Sequence, residues 1–165
     1  MLASETDTLG EALDSLDEQI DALEEYLADL DDDTDDAEAV RAQRNRLQYL
    51  RQGVEWQADE WGADAEVTLG ALTAGEEAMM HREIPADAGE KERRLWYVAA
   101  ATEAAPYVES ELSETFANVA GLHPAFAEWV EARSNALGVA GNRSSTSSTA
   151  SESSGTSTTT PDSTT

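Results

Sequence analysis

The sequence predicts a mostly helical α+β protein, and three patterns in its 165 residues support that class. Large apolar residues recur every three or four positions near the N-terminus, which is typical of an amphipathic helix. Proline and glycine separate several later segments of similar spacing, so these segments predict short helices. In the middle of the chain, two stretches alternate apolar and polar residues, which predicts a short β-hairpin.

The segment from Thr6 to Leu30 predicts one helix with an apolar seam. The seam follows a 4-3 spacing and consists of Leu9, Leu13, Leu16, Ile20, Leu23, Leu27 and Leu30. These are a and d positions of a heptad repeat, and a single helix cannot bury them. The seam therefore predicts contact with another helix, and its candidate protein-interaction residues are Leu13, Leu16, Ile20, Leu23 and Leu27.

A second helix is predicted from Asp35, which forms a capping-box pattern with Glu38, to Gly53. It carries Arg41, Arg44, Arg46 and Arg51, whereas the charged residues of the first helix are all acidic. Opposite charge and a short connection predict an antiparallel helical hairpin, or coiled coil, in residues 1–53. Pairing of the first helix with its own copy in an oligomer is the alternative.

Residues 54–141 form the second predicted domain. Val54–Ala58 and Glu66–Leu69 are its predicted hairpin strands, with room for one more strand from elsewhere. A small helical bundle follows, with helices predicted over Thr73–Ile84, Glu90–Ala105, Leu112–Val119 and Pro124–Gly138. Residues 142–165 are rich in Ser and Thr and lack large apolar residues, so they predict a disordered tail.

Net charge is the strongest bulk signal, because 35 acidic residues face 10 basic ones and give a formal charge of -25. Such a chain repels nucleic-acid phosphates and anionic membranes, so we expect neither as a partner. Lys91 is the only lysine, which is typical of adaptation to a salt-rich cytoplasm; an ordinary acidic interaction protein is the alternative. The absence of a long apolar run or signal peptide predicts a cytoplasmic location.

No residue pattern points to catalysis, a metal or a cofactor. The acidic loop Asp31–Asp36 fails as an EF-hand, because its sixth and twelfth positions are Asp36 and Ala42 rather than Gly and Glu. His81 and His123 lack the partners of a zinc site, and cysteine is absent. We therefore expect no enzyme and no cofactor. A small hydrolase or transferase is the competing class.

Trp61 is a further candidate interaction residue, because it lies beside Gly62 at the predicted tip of the β-hairpin. An exposed tryptophan in that position would be a protein-binding anchor. The alternative is a staple that packs the hairpin onto a helix.

The stretch Trp61–Glu77 resembles the opening of tail assembly chaperones from long-tailed phages. In that family a Trp-Gly hairpin leads through a Val-Thr-Leu strand, here Val67–Leu69, to a Leu-Thr-x-x-Glu helix cap, here Leu72–Glu76. The segments Leu95–Ala101 and Pro124–Leu137 are similar to later helices of the family. The resemblance covers about residues 54–138. The helical segment before it and the Ser/Thr tail depart from the family pattern.

The resemblance implies a non-catalytic protein of the host cytoplasm. Such chaperones coat the tape measure protein, keep it soluble and bring tail tube subunits to it. Together with the acidic composition, this implies a tailed virus of a halophilic archaeon. The alternative is a structural or adaptor protein of the same kind of virus that docks through its coiled coil.

Overall fold

The computed structural model describes residues 1–145, and this part of the chain is mostly helical, with six helices and a three-stranded antiparallel sheet. The elements are β1 Ser4–Thr8, α1 Leu9–Ala28, α2 Asp35–Trp61, β2 Glu66–Gly70, α3 Ala74–Glu83, α4 Glu90–Ala101, β3 Thr102–Ala104, α5 Leu112–Val119 and α6 Pro124–Ser145. The predicted class, a mostly helical α+β protein, is confirmed.

Strand β2 lies in the middle of the sheet and pairs antiparallel with β1 on one side and β3 on the other. Val67 and Leu69 of β2 are buried, as expected for the alternating inner face of a strand. β1 has no large apolar residue, and its pairing includes a 2.8 Å hydrogen bond between the Thr6 and Thr68 hydroxyl groups. The prediction of β2 is correct, but its strand partners come from the N-terminus and from the end of α4.

The first helix begins at Leu9 rather than at Thr6, because Thr8 and Glu11 form a capping box. The Thr8 hydroxyl oxygen accepts a hydrogen bond from the Glu11 amide at 3.1 Å, and the Glu11 carboxylate accepts one from the Thr8 amide at 2.9 Å. This reciprocal pairing satisfies amide groups that an uncapped helix leaves without partners. The residues before the cap are thus free to join the sheet as β1.

The prediction that α2 ends at Gly53 is wrong, as is the prediction of a strand over Val54–Ala58. α2 continues to Trp61 and starts after the N-cap Thr34, whose hydroxyl oxygen accepts a hydrogen bond from the Ala37 amide. Gly53 lies where α2 crosses the start of α6, and a Cβ there would overlap α6 backbone atoms. The glycine therefore permits a close helix contact instead of ending a helix.

The C-terminal helices follow the predicted order with two changes of length. α4 ends at Ala101 because Thr102–Ala104 joins the sheet as β3, and α6 passes the predicted end at Gly138 and reaches Ser145. The predicted tail, residues 142–165, therefore begins inside α6. Its remaining residues, 146–165, lie outside the described part of the chain.

The main core lies between α1, α2, the sheet and the C-terminal helices. Its buried residues are Leu9, Ala12, Leu16, Leu50, Val54, Val67, Leu69, Val98, Ala99, Tyr107, Val119, Phe126, Trp129 and Val130. A smaller cluster contains Leu72, Met80, Trp96 and Ala101, with the Trp96 ring stacked on Phe116 at a centroid distance of 4.1 Å. Residues from both predicted domains contribute to the main core, and α2 passes through the predicted boundary between residues 53 and 54 without a break.

Candidate protein-interaction surface

α1 and α2 pack against each other through apolar contacts and one ion pair. The Leu9 amide donates a 3.0 Å hydrogen bond to the Ala65 carbonyl just beyond α2, while Asp17 accepts two hydrogen bonds from the Arg51 guanidinium. The hydrogen bonds that Arg51 donates to the Asp17 carboxylate also raise the pKa of Arg51. The start of α1 is thus joined to the end of α2 and to the core.

Burial decreases along α1, although the apolar spacing does not change. Leu9, Leu16 and Leu23 are seven residues apart on one face of α1, and Leu30 follows at the same spacing just beyond the end of the helix. Leu9 and Leu16 are buried in the main core, whereas Leu23 and Leu30 are only half-buried. Tyr26, one turn beyond Leu23, is 52% exposed. The face that the core covers at Leu9 and Leu16 is therefore only partly covered one heptad later.

We define the open row as Leu23, Tyr26, Leu27 and Leu30. Between residues 21 and 49, Ala37 is the one buried side chain, so this part of the α1–α2 pair has little core of its own. The exposed acids on the outer flank of the row are Glu18, Glu25 and Asp29, and Asp31–Asp36 follows in the connecting loop. A helix face of large apolar side chains with charged flanks is a common form of helix-binding surface.

The predicted interaction residues divide between core and surface. Leu16 and Ile20 are buried, and Leu13 is half-buried against the main core. Leu23 and Leu27 belong to the open row. An interaction role for all five stays a prediction, but the two residues of the open row are the ones a partner could reach without disturbing the core.

Trp61 lies at the last position of α2, not at the tip of a β-hairpin. Its ring is half-buried and contacts Tyr107 at a centroid distance of 5.8 Å and Phe126 at 5.6 Å in an edge-to-face arrangement. Such aromatic pairs stabilise a core. The geometry corresponds to the packing alternative for Trp61, and its role as a binding anchor has no support from this position.

Sequence reasoning missed a second apolar surface, which surrounds Trp56 and Tyr49. Trp56 is 57% exposed, and its ring lies 5.6 Å from that of His123. Tyr49 borders a groove of about 440 Å³ between α2, α4 and α6. The signal was the seven-residue spacing of Tyr49 and Trp56, which places both on one face of a helix. The predicted strand over Val54–Ala58 obscures this helical spacing, because it places Trp56 outside any helix.

The acidic loop Asp31–Asp36 and both histidines lie at the ends of helices. Asp32 accepts a hydrogen bond from Arg41 at 2.8 Å, and His123 Nδ1 accepts one from the Ala125 amide at the start of α6. His81 is exposed in the last turn of α3. Within residues 1–145, no group of three potential metal ligands comes together, and no helix combines the length and apolar character of a membrane span.

No family model matches the chain, and searches among curated proteins and among solved structures found no similar protein. The resemblance to tail assembly chaperones therefore stays a prediction that depends on the residues of Trp61–Glu77 and the helices after it.

Proposed function

We propose that this protein is a non-catalytic tail assembly chaperone of a tailed virus with a halophilic host. It acts in the host cytoplasm, binds the tape measure protein, keeps that protein soluble and brings tail tube subunits to it. The open row is the observation that carries the proposal, because Tyr26 is 52% exposed and Leu23, Leu27 and Leu30 are only half-buried within the described residues. A chaperone needs such a face to hold an apolar segment of its client.

The unit formed by β2 and α3 supports the family resemblance. The Val67–Leu69 segment is part of β2, and Thr73 caps α3 through a capping box with Glu76. Both features correspond to the Val-Thr-Leu and Leu-Thr-x-x-Glu parts of the family pattern. The Trp-Gly hairpin does not contribute to this support, because Trp61 ends α2 and Gly62 turns the chain toward β2.

In this proposal α1 and α2 form an antiparallel hairpin of coiled-coil type that presents the open row to the client. The α1–α2 pair leaves the open row only half-buried, and a third helix could cover it. The continuous helix α2 connects this hairpin to the rest of the fold, so a client bound at the open row would be held at a defined place on the chaperone.

Co-expression with fragments of a candidate tape measure protein tests the proposal. The parent chain should raise the soluble fraction of the fragment, and the double variant Leu23→Asp with Leu27→Asp should not, because it places charges in the row. Met79→Asp is the matched control: Met79 is 64% exposed on α3, outside the open row. Equal solubilisation by the double variant and the parent would show that the row does not hold the client.

A structural or adaptor role in the virus particle is the second candidate. The observation in its favour is the firm attachment of the α1–α2 pair to the main core, which suits a permanent docking element. Mass spectrometry of purified particles distinguishes the two functions. A retained adaptor would be present at a copy number comparable with other tail proteins, whereas an assembly chaperone would be absent.

A further inference from the structure

We infer that the open row binds a basic amphipathic helix from another protein, which lies along α1 and completes a three-helix unit. This inference rests on the proposed function, since it gives the chemical class of the client segment. The bound helix would carry large apolar residues at positions i, i+3, i+4 and i+7, with Lys or Arg beside them. Its features follow from the spacing and the charges of the open row.

The spacing of the row determines the apolar pattern of the partner. Leu23, Tyr26 and Leu27 follow i, i+3 and i+4 on the last turns of α1 and form a ridge there, and Leu30 follows at i+7 just beyond the end of α1. A strand or an irregular peptide would meet this ridge at only one or two side chains. A helix with the same spacing can place its own apolar residues between those of the ridge along its whole length.

The charges around the row determine the polar residues of the partner. Glu18, Glu25 and Asp29 are exposed on the outer flank, and all charged residues of α1 are acidic. The basic residues of this helix pair lie on α2. An incoming helix therefore gains from basic residues on its edge over α1, where each can pair with a carboxylate.

A second copy of this chain fits the row less well than a basic helix does. Two copies would bring two chains of formal charge -25 together. Contact between their open rows would also place Glu25 and Asp29 of one copy beside the same acids of the other. Like charges at an interface suppress association, so charge complementarity favours a basic partner of different sequence.

Binding of designed peptides to the purified chain tests the inference without a tape measure protein. The probe is a labelled helical peptide of about three heptads with Leu at a and d and Lys at e and g. One control peptide has Glu in place of Lys, and the other has the same composition and charge in a scrambled order. The measurement is fluorescence anisotropy at roughly 1 M KCl and at the lowest KCl concentration at which circular dichroism shows the chain still folded, because the screening length falls from about 8 Å to 3 Å between roughly 0.15 M and 1 M salt.

The Lys peptide should bind at least roughly tenfold more tightly than either control peptide, which corresponds to about 1.4 kcal/mol. Added salt should weaken its binding without removing its advantage over the scrambled peptide. Equal binding of the scrambled peptide would overturn the inference, because charge alone would then explain the affinity. Equal binding of the Glu peptide would also overturn it, because the basic edge would then have no role.

Variants of the chain locate the site. Leu23→Ala with Tyr26→Ala should weaken binding of the Lys peptide about tenfold or more, because it removes two side chains from the ridge. Tyr26→Ala alone truncates a side chain that is already half exposed, so it keeps the fold and should still weaken binding severalfold. Met79→Ala should leave the dissociation constant unchanged. Unchanged binding by both row variants, or an equal loss with Met79→Ala, would refute the site.

Light scattering on the chain alone tests whether a second copy of the chain occupies the open row. A monomer that binds the Lys peptide supports the inference. A dimer that Tyr26→Ala converts to monomer would instead show that a second copy occupies the row, and would overturn it. Failure of the peptide test together with solubilisation of a tape measure fragment would reject only the helix chemistry, and the chaperone function would stand.

Discussion

Replacement of Gly53 by alanine tests the contact between α2 and α6 on which the packing of this fold depends. A Cβ at position 53 would overlap the Phe126 amide nitrogen and would lie 2.5 Å from the Ala125 carbonyl carbon. Both atoms belong to the backbone in the first turn of α6, so no side-chain rotation can relieve the overlap. α6 would have to move away from α2.

The expected magnitude is the difference between two opposing effects. In an open helix interior, a Gly→Ala change raises the free energy of unfolding by about 1 kcal/mol. Overpacking typically costs about 1–3 kcal/mol and more where backbone must shift. Here a shift also loosens Val54 and Phe126, which are fully buried, and the 3.1 Å hydrogen bond from the His123 amide to the Gln57 side chain. We expect a net loss of about 2 kcal/mol or more.

Gly138 provides the matched control, because it too lies inside a long helix. A Cβ at position 138 would meet the Ala71 Cβ at 3.7 Å, which is an ordinary van der Waals contact. Gly138→Ala should therefore raise the free energy of unfolding, by up to about 1 kcal/mol. Urea unfolding followed by circular dichroism at one fixed KCl concentration measures both changes. The reasoning is refuted if Gly53→Ala is as stable as the parent chain.

Three further predictions concern buried polar groups, acid and salt. Ser134→Ala should raise the free energy of unfolding, measured in urea, by about 1 kcal/mol, because the fully buried Ser134 hydroxyl has no hydrogen-bond partner in the described residues. Thr102→Val should lower the free energy of unfolding, because the Thr102 hydroxyl is hydrogen-bonded to the Val98 carbonyl and to the Tyr107 hydroxyl. The Thr73 amide and the Met1 amino group lower the pKa of Glu76 from 4.5 to about 2, so the stability that Glu76 contributes is present above about pH 4.5 and disappears toward pH 2. The stability gap between the parent and Glu76→Gln, measured by thermal unfolding, should close over that interval. The net charge of -25 should make folding cooperative in about 1 M KCl and partial in dilute buffer, and a helical circular dichroism signal that stays constant down to about 20 mM salt would contradict this.

The parts of the fold that the sequence predicts well are those with local signals. Thr73 and Glu76 define the start of α3 through a capping box, and Pro124 marks the first turn of α6. The apolar spacing that predicts α1 is also a local signal, and charge and spacing together predict that α1 contacts α2. In each case the residues that define the helix lie within one or two helical turns of one another.

The parts that failed depend on distant residues. β1 is a strand because β2, some sixty residues later, pairs with it, and its own sequence of Ser, Glu, Thr and Asp gives no strand signal. The end of α2 was ambiguous, since Val54, Trp56 and Ala58 alternate like a strand while Val54, Gln57 and Trp61 follow a helical spacing. The close crossing with α6, which needs a glycine at position 53, is a long-range contact that neither spacing reveals.

The same long-range packing determines which substitutions can separate binding from folding. Leu16 and Ile20 are buried, and Leu16 belongs to the main core together with Phe126 and Val130 of α6. A charge at Ile20 would therefore change stability and association together, and a loss of binding would have two explanations. Leu23 and Tyr26 continue the same helix face beyond the core, where truncation removes contact area for a partner at little cost to the fold. The function of the α1–α2 pair is thus best measured at the residues where its apolar seam leaves the core.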